Sequence, residues 1–466
     1  MERKNAWNKY NEAELKALNA VCDAYKGFLD GGKTERECVA EGVVLAEAAG
    51  YENLADYIKA GKKIETGTKL YAVNMNKMMA LFQIGKEPLT NGMNILGAHI
   101  DSPRVDVKCN PLYESDDLAY LDTHYYGGIK KYQWVTQPMS IHGVICTKND
   151  GVKVVTIGED PEDPVFVFTD LLIHLSGEMQ EKPAAKVITG EGLDLLVGNR
   201  PLEESKLEEG EKEAVRANVL ALLNEKYGVE EEDFLSAELE IVPAGKARDL
   251  GFDRSMILAY GQDDRICAFT SLLAMLDEDK ALDRTSCCLI VDKEEIGSVG
   301  ATGMTSMFFE NVVAQIASYM GEKDAYLAMR ETLANSRMLS SDVSAGFDPL
   351  YPAAFEKKNA ALISRGMCFN KFTGSRGKGS SNDANPEYIA HIRKVLDEAG
   401  ISYQFCELGG VDVGGGGTIA YIMAKFGMEV IDSGVAVLSM HAPYEVSSKA
   451  DIYETYKGYR AFLKNA

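Results

Sequence analysis

Three apolar runs in this chain each close on side chains able to hold a metal ion. They are Asn94-Ile-Leu-Gly-Ala-His99-Ile-Asp101, Leu289-Ile-Val-Asp-Lys-Glu294-Glu295 and Val437-Leu-Ser-Met-His441. Two more carboxylates follow short apolar runs: Asp263-Asp264 after Met256-Ile-Leu-Ala-Tyr-Gly-Gln, and Asp342 after Met338-Leu-Ser-Ser. Imidazole with carboxylate suits zinc or a neighbouring transition metal, and a pair of ions ~3.5–4 Å apart needs one carboxylate able to bridge them. This set can supply that bridge. Each fragment alone is weak, because His-x-Asp arises by chance, paired Asp often caps a helix and Glu-Glu is usually solvated. Their conjunction carries the reading.

Such residues meet only if strands deliver them to one place. In open α/β sheets ligands bind beyond the carboxyl ends of the strands, so side chains far apart in sequence can converge there. The elements fit that requirement. Glu12 to Leu29 is amphipathic, Thr34-Glu-Arg-Glu37 is a capping box opening a helix that stops near Gly50, and Met93–His99 reads as an apolar strand. After Gly251 a strand near Met256–Tyr260, a helix Asp264–Leu276, a strand Cys287–Val291 and a helix Thr418–Lys425 alternate, which predicts a mixed, largely parallel sheet flanked by helices. From about Val107 to Ala244 the character changes to short tyrosine- and valine-rich runs such as Val152–Ile157 and Val165–Thr169. The predicted division is therefore an α/β catalytic domain from residues 1–106 and 248–466, interrupted by a β-rich domain at 107–247.

The chain has 466 residues, which at roughly 150 per domain is enough for about three domains or one large domain with an insertion. Hydrophobic residues at 46% and charged residues at 26% exclude a disordered or collagen-like chain. Forty-nine basic against 71 acidic residues give a net charge of -22, which argues against nucleic acid or anionic membrane as a partner. Leu202–Asp233 alone carries eleven acidic and four basic residues and reads as a solvated helix face with its loops. No apolar core of a signal peptide and no membrane-length apolar run is present, so a cytoplasmic protein is expected. Nine cysteines without a C-x-x-C pair read as reduced core residues, Cys287 and Cys288 among them. Gly414–Gly417 reads either as a flexible linker or as a close-approach backbone surface offering N–H groups to a substrate; with no lysine after it, it is not a phosphate-binding loop. Ser364–Asn385 reads as a loop whose Lys371, Arg376 and Lys378 are candidates for an acidic side chain or a neighbouring subunit.

Gly97-Ala-His-Ile-Asp-Ser-Pro-Arg104, Gly261-Gln-Asp-Asp-Arg265, Asp292-Lys-Glu-Glu-Ile-Gly-Ser298, Ser340-Ser-Asp342 and Ser439-Met-His441, in that order and spacing, resemble the aspartyl aminopeptidase family of di-zinc metallopeptidases, its bacterial branch above all. Tyr125-Tyr-Gly-Gly-Ile129 and Leu171-Leu-Ile-His-Leu175 extend the resemblance through the insertion. The resemblance implies that His99 and Asp342 hold one zinc, Glu295 and His441 the other, with Asp263 as the bridge. Asp264 is a competing bridge. It further implies Glu294 as general base, Asp101 as the aspartate that orients a ligand imidazole, and His174 as a histidine reaching the substrate of a neighbouring subunit. Taken without the resemblance, His174 reads as a structural residue of an apolar strand. His124, His142 and His391 carry no such context.

The implied activity is release of single N-terminal residues from peptides with a free amino terminus, by a homo-oligomer of tetrahedral, dodecameric form. Zinc is the implied metal, and manganese or cobalt would also suit the donor set. Two stretches depart from the animal and yeast pattern: Val343-Ser-Ala-Gly346 lacks the histidine usual there, and Val411-Asp-Val-Gly-Gly-Gly-Gly-Thr418 replaces a more polar segment. A preference for N-terminal Asp or Glu therefore does not follow from the resemblance. The rivals are an N-acyl amino acid deacylase on the same fold, which needs no free amine, and a non-catalytic assembly or binding protein.

Overall fold

The computed structural model describes residues 3–149, 151–207, 210, 212–374 and 376–466. Two compact units share the chain. One is built from residues up to Asp101, Ala247–Met440 and Glu445–Ala466, the other from Ser102–Lys246 and His441–Tyr444.

The first unit is organised by a nine-stranded sheet. Its central strands, Thr285–Val291, Met93–His99, Arg337–Ser341 and Glu429–Gly434, run parallel in that order. Every residue of Thr285–Val291 and Met93–His99 is buried, as expected for strands covered on both faces. Alternate side chains feed two cores. Leu96, Ala98, Cys288 and Ile290 join the core under Gln262–Leu276 and the C-terminal helix Lys449–Asn465. Met93, Ile95, Cys287 and Leu289 join the core under Phe308–Met320 and Ala325–Ala334. Antiparallel strands Lys69–Asn74 and Met78–Gln83 extend one side, while Met367–Asn370 and Tyr403–Cys406 close the other. The sheet is thus mixed with a parallel centre. A five-stranded sheet of Arg248–Leu250, Met256–Ala259, Glu445–Ser448, Ala436–Leu438 and Ser344–Ala345 completes the unit.

Local chemistry sets the helix starts. Asn11 and Thr34 each accept the N–H three residues on, and Glu14 and Glu37 return the bond, so both capping boxes form ahead of Glu12–Gly31 and Glu35–Ala48. Asp451 near the start of the last helix is fully buried and accepts the N–H groups of Ser364 at 2.7 Å and Gly366 at 2.6 Å. Burial pushes its carboxyl up to about 7, against those two hydrogen bonds and with Glu454 adding to the rise. The folded carboxyl keeps its proton to higher pH than an unfolded aspartate near ~3.9. Its contribution to stability is therefore complete below ~3.9 and is lost as pH rises through the folded value. Asp451→Asn is expected to flatten the fall in Tm between about pH 4 and pH 7, as read by thermal unfolding of both proteins across that window.

The second unit is a seven-stranded sheet in the order Gly151–Ile157, Met139–Thr147, Ala237–Pro243, Arg104–Ser115, Leu118–Tyr126, Leu195–Gly198 and Val167–Phe168. Its ladders are antiparallel, with the helix Ala214–Tyr227 beside them. That helix carries part of the acidic stretch; Glu208, Glu209 and Glu211 lie outside the described residues.

The apolar Leu171–Leu175 segment is not a strand: Ile173–Leu175 is a 3-10 turn, and Leu171, Leu172, Ile173 and Leu175 are all exposed. Apolar composition alone could not tell a core strand from an exposed apolar turn. Thr418–Lys425 shortens to a helix at Ala420–Ala424. Of the nine free cysteines, seven are buried, Cys287 and Cys288 at 0% exposure, but Cys109 and Cys146 are exposed. At Gly414 a Cβ would sit 1.8 Å from the Leu408 carbonyl oxygen, a close approach to the chain's own backbone.

Candidate metal centre

Register brings the first two ligand candidates together. Gly97 pairs with Ser340 across parallel strands, so His99 and Asp342, each two residues further on, leave adjacent strands at the same level. His99 also pairs directly with Val291, which places Glu294 and Glu295 just beyond the end of the third strand, in the turn Glu294–Ile296. Asp342 is anchored by its N–H to the Ser433 carbonyl at 2.9 Å. The neighbouring Gly434 allows no side chain, because a Cβ would meet the Asp342 carbonyl oxygen at 2.0 Å and Cys267 Sγ at 2.8 Å.

Asp263 and Asp264 arrive from the other sheet, at the start of the helix Gln262–Leu276, where both depart from helical backbone angles. Glu445, 1% exposed, positions them: its Oε2 accepts the Asp263 N–H at 3.0 Å, and its carbonyl accepts Gln262 Nε2 at 2.7 Å. Sequence reasoning missed Glu445; its only signal was a lone glutamate opening an otherwise apolar and hydroxyl-rich strand.

The side chains converge on His99, which is 1% exposed. Its Nε2 lies 3.3 Å from Asp263 Oδ1, 3.8 Å from Asp342 Oδ1 and 4.0 Å from Glu294 Oε2. Two ligand groups, His99 with Asp264 and Asp342, and His99 with Asp263 and Glu295, have ligand atoms within 4.8 Å of one another. On the opposite side of the ring, Nδ1 lies 2.9 Å from the Asp101 carbonyl oxygen and 3.3 Å from Asp101 Oδ1. Asp101, fully buried, also accepts the N–H groups of Glu294 and Glu295, each at 3.1 Å. One carboxylate therefore fixes both the imidazole and the turn carrying two further carboxylates.

The electrostatics of the cluster favour a cation. Six carboxyl groups, those of Asp101, Asp263, Asp264, Glu294, Glu295 and Asp342, surround one imidazole. Burial pushes Glu294 up to about 8, with His99 opposing the rise and Asp342, Asp263 and Asp101 reinforcing it. Burial likewise raises Asp342, and it holds Asp264 well above the carboxylate range with Asp342 and Asp263 adding to the shift. Burial works against a proton on His99, but Asp101, Asp263 and Asp342 raise its pKa well above the ordinary imidazole value. Neither Asp264 oxygen has a hydrogen-bond partner among the described residues beyond the weak Cys267 thiol. Buried carboxylates in this number are costly unless a cation compensates them, and the imidazole and carboxylate donors fit zinc-like ions.

His441 falls in the short segment grouped with the second unit, where its Nδ1 is 2.8 Å from the Gly128 carbonyl oxygen. It does not end a strand of the nine-stranded sheet as its sequence suggested. The strand before it, Ala436–Leu438, belongs to the five-stranded sheet and stops at Ser439, where φ is 59°. His174 is exposed in the second unit. Lys371 and Lys378 both pair with Asp383, at 2.7 and 3.3 Å, and Lys378 covers the Phe372 ring. His142 contacts Glu159 at 3.2 Å, and His124 stacks on Tyr125, so neither departs from a structural role.

An imidazole and carboxylates gathered past the carboxyl ends of parallel strands define a metal-binding class of α/β protein. A family profile described as aminopeptidase I zinc metalloprotease (M18) matches residues 28–463. A probable M18 family aminopeptidase 1 of Clostridium acetobutylicum is 58% identical over 464 residues, covering 100% of this chain and 98% of that protein. The crystal structure of the aminopeptidase from Thermotoga maritima superposes with a TM-score of 0.95 at 43% identity, and that of aminopeptidase I from Clostridium acetobutylicum with 0.92 at 56%, each covering 100% of both chains. The chain belongs to this family of zinc aminopeptidases, enzymes that hydrolyse peptide bonds. A S. cerevesiae aminopeptidase solved as a dodecamer shares the fold, with a TM-score of 0.76 at 20% identity over 96% of this chain and 97% of that one.

Proposed function

We propose that this aminopeptidase releases one residue at a time from free N-termini using two divalent ions per chain, zinc first among them. The observation that carries the proposal is the pair of ligand groups sharing His99. His99 and Asp342 would hold one ion, and Glu295 and His441 the other. Asp263 is the bridge we favour, because it reaches His99 Nε2 at 3.3 Å and falls in the same group as Glu295. Asp264, close to Asp342, is the competing bridge, and metal content in the Asp263→Asn and Asp264→Asn variants separates the two.

Bound divalent ions acidify water and polarise a carbonyl as Lewis acids, and they stabilise developing negative charge on oxygen. Glu294 does the proton work. Its carboxylate takes the proton of the attacking water and returns it to the nitrogen of the departing amine. Asp101 orients His99 through Nδ1 and holds the Glu294–Glu295 turn by two backbone hydrogen bonds. Asp101→Asn places an amide N–H against one of those donors; it is expected to weaken metal affinity about 10–100-fold, measured by dialysis against a metal buffer.

His174 would act on the substrate of a neighbouring subunit, so activity would depend on assembly mediated by the β-rich unit. A tetrahedral dodecamer is the proposed form, and a solution mass near that of one chain contradicts it. Among the described residues no helix is long and apolar enough to cross a membrane, and the proposed compartment is the cytoplasm. Initial rates on acidic, basic and apolar aminoacyl substrates test the pocket. Preference for Asp or Glu supports the acidic reading, whereas preference for other residues keeps the chemistry and rejects that specificity. Release from a substrate with a blocked amine would favour the deacylase.

A further inference from the structure

Against a net charge of -22, one cavity of about 720 Å³ in the first unit is lined by six cationic side chains, Arg3, Lys4, Lys358, Arg365, Lys371 and Arg393. It lies along the edge strand Tyr403–Cys406 and the helix Pro386–Glu398. That strand is four places from Met93–His99 in the sheet order, a separation of roughly 19 Å at about 4.8 Å per strand. The cavity is therefore distinct from the metal centre.

Four of the six cations have a polar partner, Arg393 through the Tyr403 hydroxyl and Arg365 through the Ser364 carbonyl. Arg3 donates to the carbonyls of Ala360 and Lys358, both at 2.6 Å, and of Phe405 at 3.2 Å, and Lys371 pairs with Asp383. Lys4, Lys358, Arg365 and Arg393 make no ion pair among the described residues. The single lining carboxylate, Asp397, accepts the Tyr403 hydroxyl at 2.9 Å. Arg365 Nε is buried with no hydrogen-bond partner among the described residues, although Nη1 reaches the Ser364 carbonyl at 3.3 Å. Like charges gathered in a concave, partly apolar site repel one another and focus a positive potential, which a bound anion would relieve. Guanidinium and ammonium donors together suit phosphate oxygens. The volume falls in the range of small-molecule sites, about 300–1,000 Å³.

We propose that this cavity is a binding site for a small polyanion of the oligophosphate class. Because Arg3 bridges the N-terminal segment to the edge strand, an occupant would also tie that segment down. The test is calorimetric titration of inorganic tripolyphosphate into the metal-loaded full chain, the K358E/R393E variant and the His99→Ala variant. Both substituted cations are exposed, and Lys4→Glu serves as a second variant should the double one fold poorly. The expected result is saturable binding that weakens at least about tenfold in K358E/R393E or Lys4→Glu and survives in His99→Ala. Absence of saturable binding overturns the proposal, as do equal affinity in the charge variants and loss in His99→Ala, which would mean capture by the metal centre. Tighter binding of an oligoglutamate than of tripolyphosphate would also overturn it and assign the cavity to an acidic peptide.

Discussion

Replacing Glu294 by Gln is expected to lower kcat by about 10²–10⁴-fold, the contribution typical of a positioned general acid–base. The fold should survive. The turn Glu294–Ile296 is held through its backbone, by Asp101 accepting the N–H groups of residues 294 and 295, and the substitution leaves both bonds in place. Metal should also be retained, because neither group of convergent ligand atoms includes Glu294. The informative pattern is lost turnover with wild-type metal content, measured on one preparation. Near-normal kcat would remove Glu294 from the mechanism, and lost metal would make it a ligand.

The second large effect is expected from His99→Ala. His99 belongs to both ligand groups and is the point on which Asp263, Asp342 and Asp101 converge. Its loss leaves the buried carboxylates to repel one another without the imidazole on which they converge. Activity should fall below detection and metal content by at least one ion per chain. The wild-type Tm should rise with added zinc, since a ligand at about a thousand times its Kd stabilises the folded state by ~4.1 kcal/mol, whereas the variant's Tm should respond less. A variant that retains full metal and activity would displace His99 from the centre.

Much of this was legible because the decisive features are local or periodic. The capping box at Thr34 is a four-residue pattern, and Met93–His99 and Thr285–Val291 are largely apolar runs that flanking helices must cover on both faces. Given those strands, His99, Glu294, Glu295 and Asp342 had to emerge at one end of a parallel sheet. What sequence could not supply was register and sheet membership. Nothing in Val437–His441 says that its strand joins the smaller sheet, or that it stops at Ser439. Nothing local marks Glu445 as the group that holds the Asp263 backbone from 182 residues away. Leu171–Leu175 misled for the opposite reason: an apolar run predicts burial, and here it is an exposed turn.

Metal ions held around His99 are proposed to drive release of residues from free N-termini. The most direct measurement is mass-spectrometric product analysis of one peptide offered with a free and with an acetylated N-terminus, before chelation, after chelation and after zinc is restored. The expected result is stepwise release of single N-terminal residues from the free peptide only, abolished by the chelator and recovered with zinc. Release that persists without metal, or that proceeds equally from the acetylated peptide, would contradict it.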